Sequence, residues 1–117
     1  MKKILVIDDE ASLIKLLKRV LEKKGYSVAA YTDERAGLAA FNKEQYDLLA
    51  VDFNLRSISG EQIICEVKSK DPSFPVLIMS GKTNDFVEKK AYENTYFMLK
   101  PFSITEFAER VKVLLES

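Results

Sequence analysis

Five short apolar runs recur along the chain, each followed by a stretch with helical periodicity, and that alternation constrains the fold more than any other feature. Ile4 to Ile7 comes first, continuous rather than alternating, as expected of a strand covered on both faces. It stops at Asp8-Asp9-Glu10. Leu13, Leu16, Leu17, Val20 and Leu21 then repeat at helical spacing up to Gly25. Ser27 to Tyr31 reads as a second strand, and Thr32-Asp33 as the cap of an alanine-rich helix through Phe41, in which Ala36, Ala39 and Ala40 suggest close packing on a sheet. Asp47 to Val51 is the third strand. Ile63, Ile64 and Val67 mark a helix from about Gly60 to Asp71-Pro72, and Pro75 to Met79 makes a fourth strand ending at Ser80-Gly81. A thin stripe of Phe86, Val87 and Ala91 predicts a short helix within Thr83 to Asn94. The fifth strand, Thr95 to Leu99, ends at Lys100-Pro101, and Ser103 caps a last helix carrying Ile104, Phe107, Ala108, Val111 and Leu115.

Right-handed crossovers turn this βα alternation into an α/β, flavodoxin-like, doubly wound (βα)5 fold. Its five-stranded parallel sheet has order 2-1-3-4-5 with helices on both faces. At 117 residues, with no low-complexity tract or linker, one domain over 1–117 is the expectation. Ligands in such sheets bind beyond the carboxyl ends of the strands, at the switch point between the first and third strands. Asp8, Asp9 and Asp52 all fall there.

An Asp closing the apolar run Leu48-Leu49-Ala50-Val51 can simply cap a turn, or it can carry chemistry. Its neighbours decide between the two. Three converging carboxylates repel one another unless a cation joins them, and an all-oxygen set without His or thiolate suits a hard ion such as Mg2+. Histidine is absent from the chain, which excludes His-based triads and His metal sites. The remaining strand ends bring a hydroxyl, Ser80, and a compact cation, Lys100. A divalent ion, a lysine and a hydroxyl around one spare carboxylate form a receptacle for a phosphoryl group, and Asp is itself a competent covalent acceptor.

The motifs that carry this reading are Ile7-Asp8-Asp9-Glu10, Val51-Asp52 with Gly60 eight residues on, Met79-Ser80-Gly81, and Leu99-Lys100-Pro101-Phe102. Taken in order over essentially the whole chain, they resemble the receiver domain of two-component response regulators. That resemblance implies that Asp52 is the phosphoacceptor, served by a sensor histidine kinase or a histidine phosphotransfer protein. It implies Mg2+ bound by Asp9 and Asp52 and by the backbone carbonyl of Asn54, with Asp8 acting mainly through a bound water. Ser80 and Lys100 match the family's phosphoryl-contacting hydroxyl and lysine, and the Lys100-Pro101 bond is expected to be cis. Phe97 falls at the switch aromatic, so Ser80 and Phe97 would together remodel the surface of the fourth helix, fifth strand and fifth helix. The chain would catalyse only its own phosphorylation and dephosphorylation, without being an enzyme on external substrates.

Several positions depart from the family pattern. Arg56 stands where a proline is usual, Gly81 replaces the common alanine and should loosen its loop, and the interval from Ser80 to Lys100 is shorter than usual. A shortened or partly unwound fourth helix follows. Lys82 is either an ordinary exposed lysine or a charge that reaches the phosphoryl group.

Eighteen basic and eighteen acidic residues cancel, which argues against direct nucleic-acid binding by this chain. The N-terminal apolar run is too short for a leader or a membrane span, and the lone Cys65 reads as a small buried thiol, so a reduced, cytoplasmic protein is expected. The downstream partner would be a protein target or an output domain lying elsewhere in a longer regulator, and a homodimer stays open. The alternative function is a phosphate-independent, degenerate receiver used as a protein-binding scaffold. A phosphohydrolase using Asp52 would need an acid/base carboxylate two residues on, where Asn54 stands. A flavin domain of this topology would not place acid after the first strand.

Overall fold

The computed structural model describes residues 1–55, 58–81 and 93–116. These contain β1 (Lys3–Ile7), β2 (Ser27–Tyr31), β3 (Leu48–Asp52), β4 (Val76–Ser80) and β5 (Thr95–Leu99), with helices α1 (Ala11–Lys23), α2 (Glu34–Lys43), α3 (Gly60–Lys70) and a C-terminal helix (Ile104–Glu116). The strands pair in parallel in the order β2-β1-β3-β4-β5, as expected. The anticipated short helix within Thr83 to Asn94 lies mostly outside the described residues, as do Arg56 and Lys82.

Strand alternation sorts the core into two layers. Ile4, Val6, Leu48, Ala50, Leu77 and Met79 face α1 and the C-terminal helix, whose Leu17, Leu21, Phe107 and Val111 bury against them. Leu5, Ile7, Leu49, Val51, Val76 and Ile78 face the other way, towards Ile63, Ile64 and Val67 of α3 and Ala40 of α2. Each central strand is therefore apolar on both faces, apart from its end residues Lys3, Asp52 and Ser80. Truncating one of these fully buried side chains to Ala costs about 3 kcal/mol.

Local chemistry fixes the helix ends. The Asp33 carboxylate accepts the backbone N–H groups of Arg35 and Ala36, Ser59 Oγ accepts that of Gln62, and Ser103 Oγ accepts that of Glu106. Each such cap stabilises its helix by about 1 kcal/mol. After α1 the chain reverses at Gly25, whose φ of +94° lies in the left-handed region open to glycine.

Three packing expectations need correction. In α1 the buried residues are Ile14, Leu17 and Leu21, while Leu16 stays 44% exposed, because the inward stripe is narrower than the apolar pattern. In α2 the close approach to the sheet belongs to Gly37 rather than to Ala36 and Ala39, which are exposed. A Cβ on Gly37 would lie 2.7 Å from Ile7 side-chain carbons. Cys65 is exposed: α3 turns Ile63, Ile64, Val67 and Lys68 inward, and residue 65 falls outside that arc.

Candidate phosphoacceptor site

The site forms where β1, β3, β4 and β5 end. Asp8 and Asp52 continue the alternation of Ile4, Val6, Leu48 and Ala50, so they rise on the same side of the sheet. Ligand oxygens of Asp8, Asp9 and Asp52 lie within 4.8 Å of one another. Two of the three are deeply buried, Asp8 at 0% exposure and Asp52 at 5%.

The two buried aspartates are held in the same way. Asp8 Oδ1 accepts the backbone N–H of Glu10 at 2.9 Å, and Asp52 Oδ1 accepts that of Asn54 at 3.1 Å. In both, Oδ2 faces Lys100, whose Nζ donates to Asp8 at 2.8 Å and to Asp52 at 3.5 Å. Turn capping and chemistry are therefore not alternatives at Asp52, because one oxygen caps while the other stays available. Asp52 is the last residue of β3 and pairs with Met79, which fixes its position from the ladder itself.

Burial raises the Asp52 pKa above its ordinary value of 3.8. The Asn54 N–H and the Lys100 charge oppose that rise, whereas the charges of Asp8 and Asp9 add to it. Burial alone would lower Lys100, but its hydrogen bond to Asp8 and the charges of Asp8, Asp52 and Glu10 prevail and hold it above 10.5. An all-oxygen set of three clustered carboxylates fits a hard divalent cation such as Mg2+.

Ser80 and Lys100 are brought together by the β4–β5 register, in which Ser80 pairs with Leu99 and the Lys100 N–H donates to the Ser80 carbonyl at 2.7 Å. The Lys100-Pro101 peptide bond is cis. Ser80 is fully buried, and its hydroxyl donates to the Asn54 side-chain Oδ1 at 2.8 Å. Sequence reasoning assigned Asn54 only a backbone carbonyl. Its proximity to Ser80 depends on the chain path after β3, for which spacing gives no signal. Gly60 packs closely on the start of that path: its N–H donates to the Phe53 carbonyl at 3.1 Å, and a Cβ there would sit 2.5 Å from the Phe53 Cα.

Phe97 pairs with Ile78 in the ladder, half-buried against the α3-side core. It shares a sheet face with Ser80, two residues beyond Ile78. At Gly81 an added Cβ would meet open space, so nothing steric demands glycine there. Beside Lys100 an open cavity of about 340 Å³ is lined by Glu10, Leu13, Lys100, Pro101 and Phe102.

The sequence profile of the response regulator receiver domain matches residues 4–112. The chain belongs to the response regulator receiver domain family. This receiver is 34% identical over 116 residues to the alkaline phosphatase synthesis transcriptional regulatory protein PhoP of Bacillus subtilis, covering 97% of this chain and 48% of that protein. It is 34% identical over 117 residues to the transcriptional regulatory protein PcoR of Escherichia coli, covering 98% and 52%. The chain thus spans about half the length of the curated relatives it matches.

Among solved structures, a response regulator receiver domain protein from Clostridium thermocellum superposes with a TM-score of 0.87 at 26% identity, covering 99% of this chain and 95% of that one. The response regulator TrrA of Thermotoga maritima, solved in complex with Mg2+-BeF, gives 0.82 at 27% identity, covering 97% and 98%. The receiver is thus a phosphoacceptor signalling module of two-component systems, and its acidic trio is typical of the Mg2+ site of such domains. No helix among the described residues is long and apolar enough to cross a membrane.

Proposed function

We propose that residues 1–117 act as one receiver domain that accepts a phosphoryl group on Asp52 from a phosphohistidine of a sensor histidine kinase or a histidine phosphotransfer protein. The observation that carries this is the Asp8, Asp9 and Asp52 cluster within 4.8 Å, with Lys100 reaching two of its members. Asp52 Oδ2 attacks phosphorus, the P–N bond to the donor imidazole breaks, and the electron pair leaves with that nitrogen. Lys100 and the Ser80 hydroxyl serve the equatorial oxygens of the group in flight. Asp8, Asp9, Asp52 and the backbone carbonyl of Asn54 are the groups that would hold Mg2+, Asp8 mainly through water. The ion supplies charge neutralisation at those oxygens when bound.

The cavity beside Lys100 supports this role, since its apolar rim of Leu13, Pro101 and Phe102 offers a partner purchase next to the acceptor. Ser80, drawn to the phosphoryl group, frees space on the face it shares with Phe97. The surface of the fourth helix, β5 and the C-terminal helix, fifth in the family's count, then changes for a downstream protein target, an attached output domain or a second copy in a homodimer. The setting would be cytoplasmic, with no direct nucleic-acid contact by this chain.

Incubation with acetyl phosphate and Mg2+ tests the proposal by intact mass. Wild type gains one phosphoryl group, while Asp52→Asn and wild type with excess EDTA gain none. An unmodified wild type would instead favour a phosphate-independent scaffold.

A further inference from the structure

The Asn54 carboxamide touches this site, and the acceptor chemistry gives it no task. Its Oδ1 accepts the Ser80 hydroxyl at 2.8 Å, and its own backbone N–H donates to Asp52 Oδ1 at 3.1 Å. Residue 54 therefore links the acceptor carboxylate to the hydroxyl that must serve the phosphoryl group. Ser80 is fully buried, so its hydroxyl cannot turn to bulk water and needs an acceptor inside the protein. Its backbone is fixed at the end of β4 by pairing with Leu99 and by the Lys100 N–H, which leaves rotation about χ1 as the way to redirect it. A serine hydroxyl has a single hydrogen to donate. In the structure that hydrogen goes to Asn54, and a phosphoryl oxygen on Asp52 would compete for it.

We propose that the Asn54 side chain is a positioning residue that holds Ser80 in a resting orientation, so that the phosphoryl group must displace a built-in competitor to recruit the hydroxyl. The inference rests on the reading of Asp52 as phosphoacceptor. Asn54 is exposed, so once released its carboxamide exchanges the lost bond for water. That exchange makes the competitor easy to displace yet able to set a threshold. Below it the hydroxyl stays turned away from Asp52, and the shared face of Ser80 and Phe97 keeps its resting packing.

A double-mutant cycle tests the competition, with beryllofluoride as the phosphoryl mimic in saturating Mg2+ and affinity read by calorimetry. Asn54→Ala should tighten beryllofluoride binding by roughly two- to tenfold, the range expected of one neutral hydrogen bond released for reuse. In a Ser80→Ala background the same change should have no tightening effect, because no hydroxyl remains to be freed. Asn54→Ser, whose shorter side chain cannot keep the bond, should repeat the result and guards against a folding defect in one variant. Equal effects of Asn54→Ala in both backgrounds, no effect, or weaker binding would each overturn the competition. A wild type that takes up no beryllofluoride would overturn the acceptor reading, and this inference with it, whereas wild-type binding with zero coupling removes this inference alone.

Discussion

Two lysines are drawn into the interior at opposite ends of the sheet, and they are stabilised by different means. Lys100, at the carboxyl ends of the strands, faces the carboxylates of Asp8 and Asp52 and is held more basic than an ordinary lysine. Lys68, on α3 near the strand entrances, is 4% exposed and donates to the backbone carbonyls of Phe74 and Glu93, each at 2.6 Å. Burial lowers its pKa below 10.5, and the charges of Asp71 and Glu93 recover only part of the loss. Carboxylates accept from one ammonium, and backbone carbonyls accept from the other. On the function proposed above, the first arrangement would keep a cation ready for incoming anionic oxygens; the second ties three segments together, the end of α3, the loop before β4 and the turn before β5. Asn94, at φ +51°, fastens the same place, donating its side-chain amide to the Ser73 carbonyl while its own carbonyl accepts the Val76 N–H.

Exchanging each lysine for methionine separates the two roles. Lys100→Met should slow Mg2+-dependent phosphorylation by acetyl phosphate about 100-fold, since it removes a preorganised charge from the transferring group. Lys68→Met should leave that rate within about twofold but lower the unfolding free energy by about 2 kcal/mol, read from urea denaturation, as the Phe74 and Glu93 carbonyls lose their donor. A Lys68→Met protein as stable as wild type, or a Lys100→Met protein that phosphorylates normally, would erase the distinction.

The contrast also marks what sequence could reveal. Asp8, Asp52, Ser80 and Lys100 were legible because each terminates an apolar run, and topology brings run ends together whatever lies between them. β2 and β5 were read at their observed limits, while Asp52 and Ser80 joined the strands they were expected to follow. Lys68 was not legible. It looks like any charged residue in the last turn of a helix, and its burial depends on where the loops before β4 and β5 place two carbonyl groups. The Asn54 carboxamide carries no sequence signal for the same reason, and Cys65 departs from its expected burial because one residue of helical phase separates it from Ile64. Pattern locates what periodicity controls, while contacts set by loop paths are fixed only by the folded chain.

At the carboxyl end the burial of Asp52 beside like charges should be visible as stored instability. Because the folded pKa of Asp52 is raised, the group favours folding below about 3.8 and loses that contribution as pH rises through the folded value. At neutral pH the ionised carboxylate therefore opposes folding. Asp52→Asn should raise the unfolding free energy by about 1 kcal/mol in metal-free buffer, and added Mg2+ should narrow the gap by stabilising wild type more than the variant. An Asp52→Asn protein less stable than wild type in EDTA would mean that the cluster is compensated by itself.

The smallest effect, and the sharpest on the two lysines, lies in alkaline solution. For Lys68 the folded pKa lies below the unfolded 10.5, so between those values the unfolded chain binds the extra proton and stability rises with pH. For Lys100 the folded pKa lies above 10.5, so its contribution is intact below that pH and disappears as pH climbs through the folded value. The stability difference between wild type and Lys68→Met should therefore widen from pH 8 to 10.5, while the difference for Lys100→Met stays flat over the same interval. Urea titrations at several pH values decide it: a Lys68→Met difference that stays constant or shrinks would show that carbonyl dipoles compensate the buried ammonium as fully as carboxylates do.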